Sequence, residues 1–283
     1  MMRLNKTKYG IEDSVKDCID GIIKLDELKS KLEDAKSDLV NISEIYTTHA
    51  KTGELFKLPQ ISTAEKDPKV VKDLTKSELI KIYSQFFVPE GKPARKIYDA
   101  ILNSSKEECP FCGGIGVPKN LDHFLPKSQF PQFSILPYNL IPSCLDCNLT
   151  EKKENFSSTP EAQIIHPYLD KDIFFTNQWI DAEYDELTKV FTFFTSIPLT
   201  WCEYDKKKAL AHFKDFNIAK RYAKKASQAV SVPLGQISMM RSFKCSNDNI
   251  NQCIIKPGID ASPFPNHWSS IMFKALGRKL EEI

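Results

Sequence analysis

The sequence predicts a mainly helical fold with a small α+β module near its middle, and three observations carry that prediction. Apolar residues recur three or four positions apart over residues 11–48. The tetrad Thr75-Lys76-Ser77-Glu78 has the form of a helix capping box. Residues 105–156 drop the helical period for a stretch rich in Cys, Pro and Gly with short apolar runs. The expected organisation is an N-terminal mainly helical region over 1–104, a metal-stabilised module over 105–158, and a C-terminal mixed and helical region over 159–283.

Ile11, Val15, Ile19, Ile22, Leu25, Leu28, Leu32, Leu39 and Ile42 mark the first helical stretch, with a break at Gly21. Gly53, Pro59 and Pro68 make 51–69 a connector. A helix then runs from Thr75 to about Phe87, Pro89 and Gly91 end it, and Pro93 suits the first turn of another helix through Leu102. Beyond the central module, Phe174-Phe175 and Val190–Phe194 favour short strands or aromatic core segments. A helix beginning near Asp205 is expected to carry a basic stretch, with Leu210, Phe213 and Phe216 on one side. Pro257, Pro263 and Pro265 predict irregular chain over the last forty residues until a helix near 268–281.

With 41% hydrophobic and 11% aromatic residues, the 283-residue chain can fill one large core or two modest ones. No run approaches the ~18 apolar residues of a membrane span, and MMRLNKTKYG has no apolar stretch of a signal peptide, which predicts a soluble, cytoplasmic protein with no membrane partner. The net charge of +2 conceals +7 over residues 206–225, where eight basic residues face the single acid Asp215. Lys220, Arg221, Lys224 and Lys225 are therefore candidate nucleic-acid contacts, the alternative being a solvated helix face.

Without a secretion signal, the pairs Cys109/Cys112 and Cys144/Cys147 read as metal thiolates rather than disulfides. Four thiolates saturate a tetrahedral Zn²⁺ and leave no open position, so the site is expected to be structural. Cys18, Cys202, Cys245 and Cys253 are scattered and predicted to be buried or half-buried thiols. The 31 residues between the pairs exceed a simple zinc ribbon and point to an inserted function.

That function is carried by Leu121-Asp122-His123-Phe124-Leu125-Pro126-Lys127-Ser128, then by Asn139-Leu140-Ile141-Pro142-Ser143-Cys144-Leu145-Asp146-Cys147-Asn148, then by Lys152-Lys153. Hydrolysis of a phosphodiester needs a base for water and a cation for the charge building on phosphate and leaving oxygen. His123 is the side chain able to act as base near neutral pH, and Asp122 and Asn148 supply hard oxygens suited to Mg²⁺ or Mn²⁺. Lys127, Lys152 and Lys153 are candidate phosphate contacts or simply solvated lysines.

Residues 109–156 resemble the HNH endonucleases. The resemblance implies a zinc-stabilised ββα-metal module with His123 at the end of one strand, Asn139 near the turn into the second and Asn148 at the start of the helix. It implies that His123 is the general base, that Asp122 and Asn148 hold the catalytic ion, and that Asn139 braces the loop that orients His123. Many members have His where this chain has Asn148, which would favour Mg²⁺ over softer metals. At the level of architecture the chain also resembles nuclease subunits of bacterial anti-phage systems of the Septu and retron type. The absence of a Gly-x-x-x-x-Gly-Lys-Ser/Thr loop would then place ATP hydrolysis in a partner ATPase.

His166, in His166-Pro167-Tyr168-Leu169-Asp170, is a candidate to add a ligand or orient the site, with packing ahead of a proline turn favoured; His49, His212 and His267 are read as packed. Residues 109–156 sum to zero charge, so affinity for DNA must come from flanking surface or a partner. The expected activity is metal-dependent cleavage of DNA. The alternative from another class is a zinc-containing adaptor that binds nucleic acid or protein without cutting.

Overall fold

Helical periodicity over the first fifty residues becomes three helices, α1 (Ile11–Gly21), α2 (Asp26–Asp34) and α3 (Lys36–Thr52), in a computed structural model that describes residues 1–61, 64–152, 156 and 159–281. The apolar stripe is turned inward, with Ile11, Val15, Leu28, Leu32 and Leu39 buried. Gly53 closes α3 in the left-handed region at φ 74°, where a side chain would be strained, and Glu54 N–H bonds back to His49 O. The chain forms two compact units. One comprises Arg3–Pro110 and Gly116–Asp170, the other Met1–Met2, Phe111–Ile115 and Lys171–Ile283. The N-terminal helices and residues 116–158 thus share a unit.

In the first unit a short hairpin, β1 (Lys69–Val71) and β2 (Leu74–Thr75), leads into α4 (Lys76–Ile82). The capping box is formed on both sides: Thr75 Oγ1 accepts from Glu78 N, and Glu78 Oε2 accepts from Thr75 N at 2.9 Å. A wide helical turn, Tyr83–Phe87, extends α4, and α5 (Arg95–Asn103) follows after the Pro-Gly segment. Strands β3 (Asn120–His123) and β4 (Leu140–Ser143) pair antiparallel, with Asn120 opposite Ser143 and His123 opposite Leu140. The wide helix Asp146–Lys152 follows after Cys144-Leu145, and α5, whose Ile97 and Ile101 are buried, packs on both strands.

The second unit is built on a hairpin, β5 (Ile180–Asp185) and β6 (Val190–Thr195), whose alternation puts Ile180, Ala182, Tyr184, Phe191 and Phe193 inside. Three expectations are corrected here. The strand alternative for Phe174-Phe175 gives way to a helical turn, α6 (Ile173–Thr176), because Phe175 N and Thr176 N both bond to Asp172 O, while both rings are buried as the core-segment alternative expects. The basic stretch is divided between α7 (Glu203–Asp215) and α8 (Ile218–Ala229) by Asn217, which takes the left-handed conformation at φ 50°. With that break, Leu210 is exposed while Phe213 and Phe216 are buried.

The third correction concerns the C-terminal prolines. After α9 (Ser231–Ser242), residues 247–260 are helical as α10 (Asn247–Ile250), a wide turn Asn251–Ile255 and α11 (Lys256–Asp260), with Pro257 in the first turn of α11, where its missing N–H is harmless. Helix α12 (Trp268–Glu281) packs on β5 and α8 on β6. Asn266 pins the strand entry, accepting from Trp179 N and Ile180 N at 2.8 and 3.0 Å. Cys202 and Cys253 are exposed rather than buried. No described helix is long and apolar enough to cross a membrane.

Candidate active site and metal centre

Cys109, Cys112, Cys144 and Cys147 are all buried, and their sulfurs lie within 4.8 Å of one another. A tetrahedron with Zn–S arms of ~2.3 Å has edges of about 3.8 Å, so the four thiols can hold a metal such as zinc. The local chain is shaped for it. Cys109 N–H bonds to Gly116 O at 3.0 Å, and Gly113 stands at φ +60° where a Cβ would lie 2.4 Å from Tyr222 Oη. Cys144 N points at Cys109 Sγ at 3.5 Å, and Asn148 N bonds to Cys144 O at 3.0 Å, so the second pair sets the start of the helix Asp146–Lys152.

His123, the last residue of β3, is 5% exposed. Its Nε2 lies 2.9 Å from Ser134 O. A carbonyl only accepts, so Nε2 carries the proton and Nδ1 is the basic nitrogen. The Tyr83 ring meets the imidazole edge-on at 4.5 Å. Burial, and after it the Lys127 cation, pushes His123 from its ordinary 6.5 down to about 3, so the ring is neutral at physiological pH.

Asn139 lies under this arrangement with no exposed surface and all four hydrogen-bonding positions used. Its Nδ2 donates to Leu125 O and Phe133 O, both at 3.1 Å, and its Oδ1 accepts from Leu125 N at 2.8 Å and Tyr46 Oη at 3.1 Å. It therefore clips both ends of the loop that carries Ser134, the partner of His123, and Ser134 Oγ is itself held by Leu79 O of α4. Tyr46 extends the network to His166. Tyr168 N donates to His166 Nδ1, so Nε2 bears the proton and donates to Tyr46 Oη at 3.1 Å, and Oη donates to Asn139. His166 is packed, and through Tyr46 it supports the loop brace.

Asp122 and Asn148 line one open cleft of about 600 Å³ together with His123, Asn120, Lys127, Tyr83 and Tyr98. Asn148 Nδ2 donates to Asn120 Oδ1 at 3.0 Å, which leaves the Asn148 amide oxygen for a cation. Asp122 Oδ2 is buried and paired with the Lys152 ammonium at 3.0 Å. Burial raises the Asp122 pKa, opposed chiefly by that ammonium. A buried carboxylate and an amide oxygen in the same cleft form a hard donor pair, the chemistry that suits Mg²⁺ or Mn²⁺.

The candidate phosphate contacts divide. Lys127 borders the cleft with Nζ 5.8 Å from the Tyr83 ring. Lys152 is turned inward, 5% exposed, and also donates to His123 O at 2.7 Å. Lys153 lies outside the described residues. On α8, Lys220, Lys224 and Lys225 are exposed and Arg221 is half-buried. Among the histidines read as packed, His212 is fully buried with Nε2 2.8 Å from Phe111 O, His49 bonds Ile45 O, and His267 bonds Ser269. Sequence reasoning did not find Asn120, Tyr46, Ser134 or Tyr83. Asn120 had a signal, since alternation along a strand puts it on the same face as Asp122.

Protein Ea31 of Escherichia phage lambda is 40% identical to the chain over 242 residues, 82% of each protein. No family model and no solved structure matches the chain.

Proposed function

The chain belongs to the family of protein Ea31 of Escherichia phage lambda, and we propose that it is a metal-dependent endonuclease of the HNH type acting on DNA. One observation carries the reading. A histidine at a strand end, a carboxylate beside it and an asparagine amide oxygen on the following helix border one cleft, and a four-cysteine cluster stands at the entry to that helix. In this reading zinc occupies the four thiols as scaffold only, since four thiolates leave no position for substrate.

His123 Nδ1 takes the proton of the attacking water. The imidazole suits the task because the bond to Ser134 O fixes its tautomer and leaves Nδ1 as the basic nitrogen. Asn139 holds the Ser134 loop, Tyr46 and His166 hold Asn139, and Asn120 engages the Asn148 amide nitrogen, which leaves its oxygen as the donor for an ion. A hard divalent ion at Asp122 and Asn148 would neutralise the charge that builds on the phosphate and the leaving oxygen. Lys127 at the cleft and the exposed lysines of α8 supply backbone contacts. An ATPase partner and a role in anti-phage defence belong to the same proposal, on the strength of the architectural resemblance.

Metal content separates this reading from an adaptor. Protein carrying zinc, titrated with Mn²⁺ and followed by electron paramagnetic resonance, should take up about one further ion, and Asp122→Asn should lose that ion while keeping its zinc. Zinc with no second metal under any condition, DNA included, would favour the adaptor.

A further inference from the structure

The ammonium of Lys152 lies where a cation bound to Asp122 would act. Nζ is 3.0 Å from Asp122 Oδ2 and 2.7 Å from His123 O, and the side chains of Lys152 and Asp122 are 4% and 8% exposed. Lys152 is the last residue of the helix Asp146–Lys152, which also carries Asn148 and starts beside the Cys144/Cys147 pair. Its position is fixed from three sides: by the helix, by the carboxylate and by the backbone carbonyl of the residue read as the base.

We propose that Lys152 is a built-in counter-cation for Asp122, so that a divalent ion binds tightly only together with a phosphodiester. The proposal rests on the nuclease reading of the site. Among the described residues the cleft offers one carboxylate, and Lys152 already balances it. A divalent ion arriving alone would leave an uncompensated +2 beside a buried ammonium, a like-charge contact that a poorly solvated site screens weakly. A phosphodiester brings one negative charge and hard oxygens, so ion and substrate each strengthen the other's binding by the same factor. Lys152 is then a positioning residue: it holds Asp122 and the His123 carbonyl in place and makes metal loading conditional on substrate. The device would suit a nuclease that must not carry a loaded metal while idle.

The test is Mn²⁺ binding read by electron paramagnetic resonance, with and without a short DNA duplex, in the His123→Ala background so that the DNA stays intact. The Asp122→Asn form serves as the blank for ion bound by DNA itself. With Lys152 present, the duplex should tighten Mn²⁺ binding by about tenfold or more. Lys152→Met keeps the stem and removes the charge: Mn²⁺ should bind at least about tenfold tighter without DNA, and the tightening by DNA should shrink towards none. Lys152→Arg keeps the charge and should retain the dependence on DNA; it decides the matter should the Met form fail to fold by circular dichroism. DNA-independent Mn²⁺ binding in the parent or in Lys152→Arg would overturn this proposal while leaving the nuclease reading intact. No Mn²⁺ in any form, with or without DNA, would overturn both.

Discussion

Replacing Asn139 with Ala tests the brace beneath the candidate base. The side chain is fully buried and makes four hydrogen bonds, three to the backbone of Leu125 and Phe133 and one to Tyr46 Oη. Truncation leaves Leu125 N–H, two carbonyls and a tyrosine hydroxyl without that partner, in a site closed to solvent. An abandoned buried polar group costs roughly 1–3 kcal/mol, and partial relaxation makes such losses less than additive, so about 3–5 kcal/mol of unfolding free energy is expected. Tyr46→Phe removes a single bond from each neighbour and should cost about 1–2 kcal/mol. Urea unfolding followed by tryptophan fluorescence and circular dichroism would read both, with an unchanged m-value confirming that stability alone has moved. The double variant should fall short of the sum of the singles, because the two share one bond. A loss under about 1 kcal/mol for Asn139→Ala would refute the brace. Asn139→Asp keeps the shape but turns an acceptor towards Leu125 O and Phe133 O, and should be at least as damaging as Ala.

Removing zinc with a chelator, or changing Cys144 to Ser, should lower the melting temperature and abolish Mn²⁺ uptake together, because the pair sets the helix that carries Asn148 and Lys152; calorimetry and metal analysis check this. His212 supplies a pH dependence. Burial holds its imidazole at about 3 in the folded chain against an ordinary 6.5, so between those values the unfolded chain binds the extra proton and acid favours it. Its contribution is complete above pH ~6.5 and falls by about 2 kcal/mol by pH ~5. His212→Gln should flatten that limb of a stability-against-pH curve. Changing Lys220, Arg221, Lys224 and Lys225 to Glu should weaken DNA binding and reduce the slope of log K against log salt; unchanged binding in a titration over salt would remove α8 from the interface.

Features set by neighbouring residues were legible in the sequence. Thr75 and Glu78 form the capping box that their spacing announces, and the apolar period through Leu39 becomes three helices broken at Gly21. The two cysteine pairs converge as their spacing suggests. What escaped depends on contacts between distant residues. Tyr46 and His166 lie 93 and 120 positions apart from the groups they bond, and neither segment alone says which buried acceptor it will meet. Lys152 reads as a solvated lysine until the fold brings it to Asp122, thirty positions earlier in the chain. Asn217 did carry a local sign, since asparagine tolerates the left-handed conformation that ends a helix, but the basic residues spread over both sides masked it. Prolines were read as breakers where Pro257 starts a helix instead.

Cleavage of supercoiled plasmid, with Mg²⁺ or Mn²⁺ added to zinc-loaded protein, tests the central claim most directly. The parent protein should nick or linearise the plasmid in a metal-dependent way, and His123→Ala, still folded and still holding zinc, should be slower by roughly 10²–10⁴-fold. Equal cleavage by the two proteins would contradict the account.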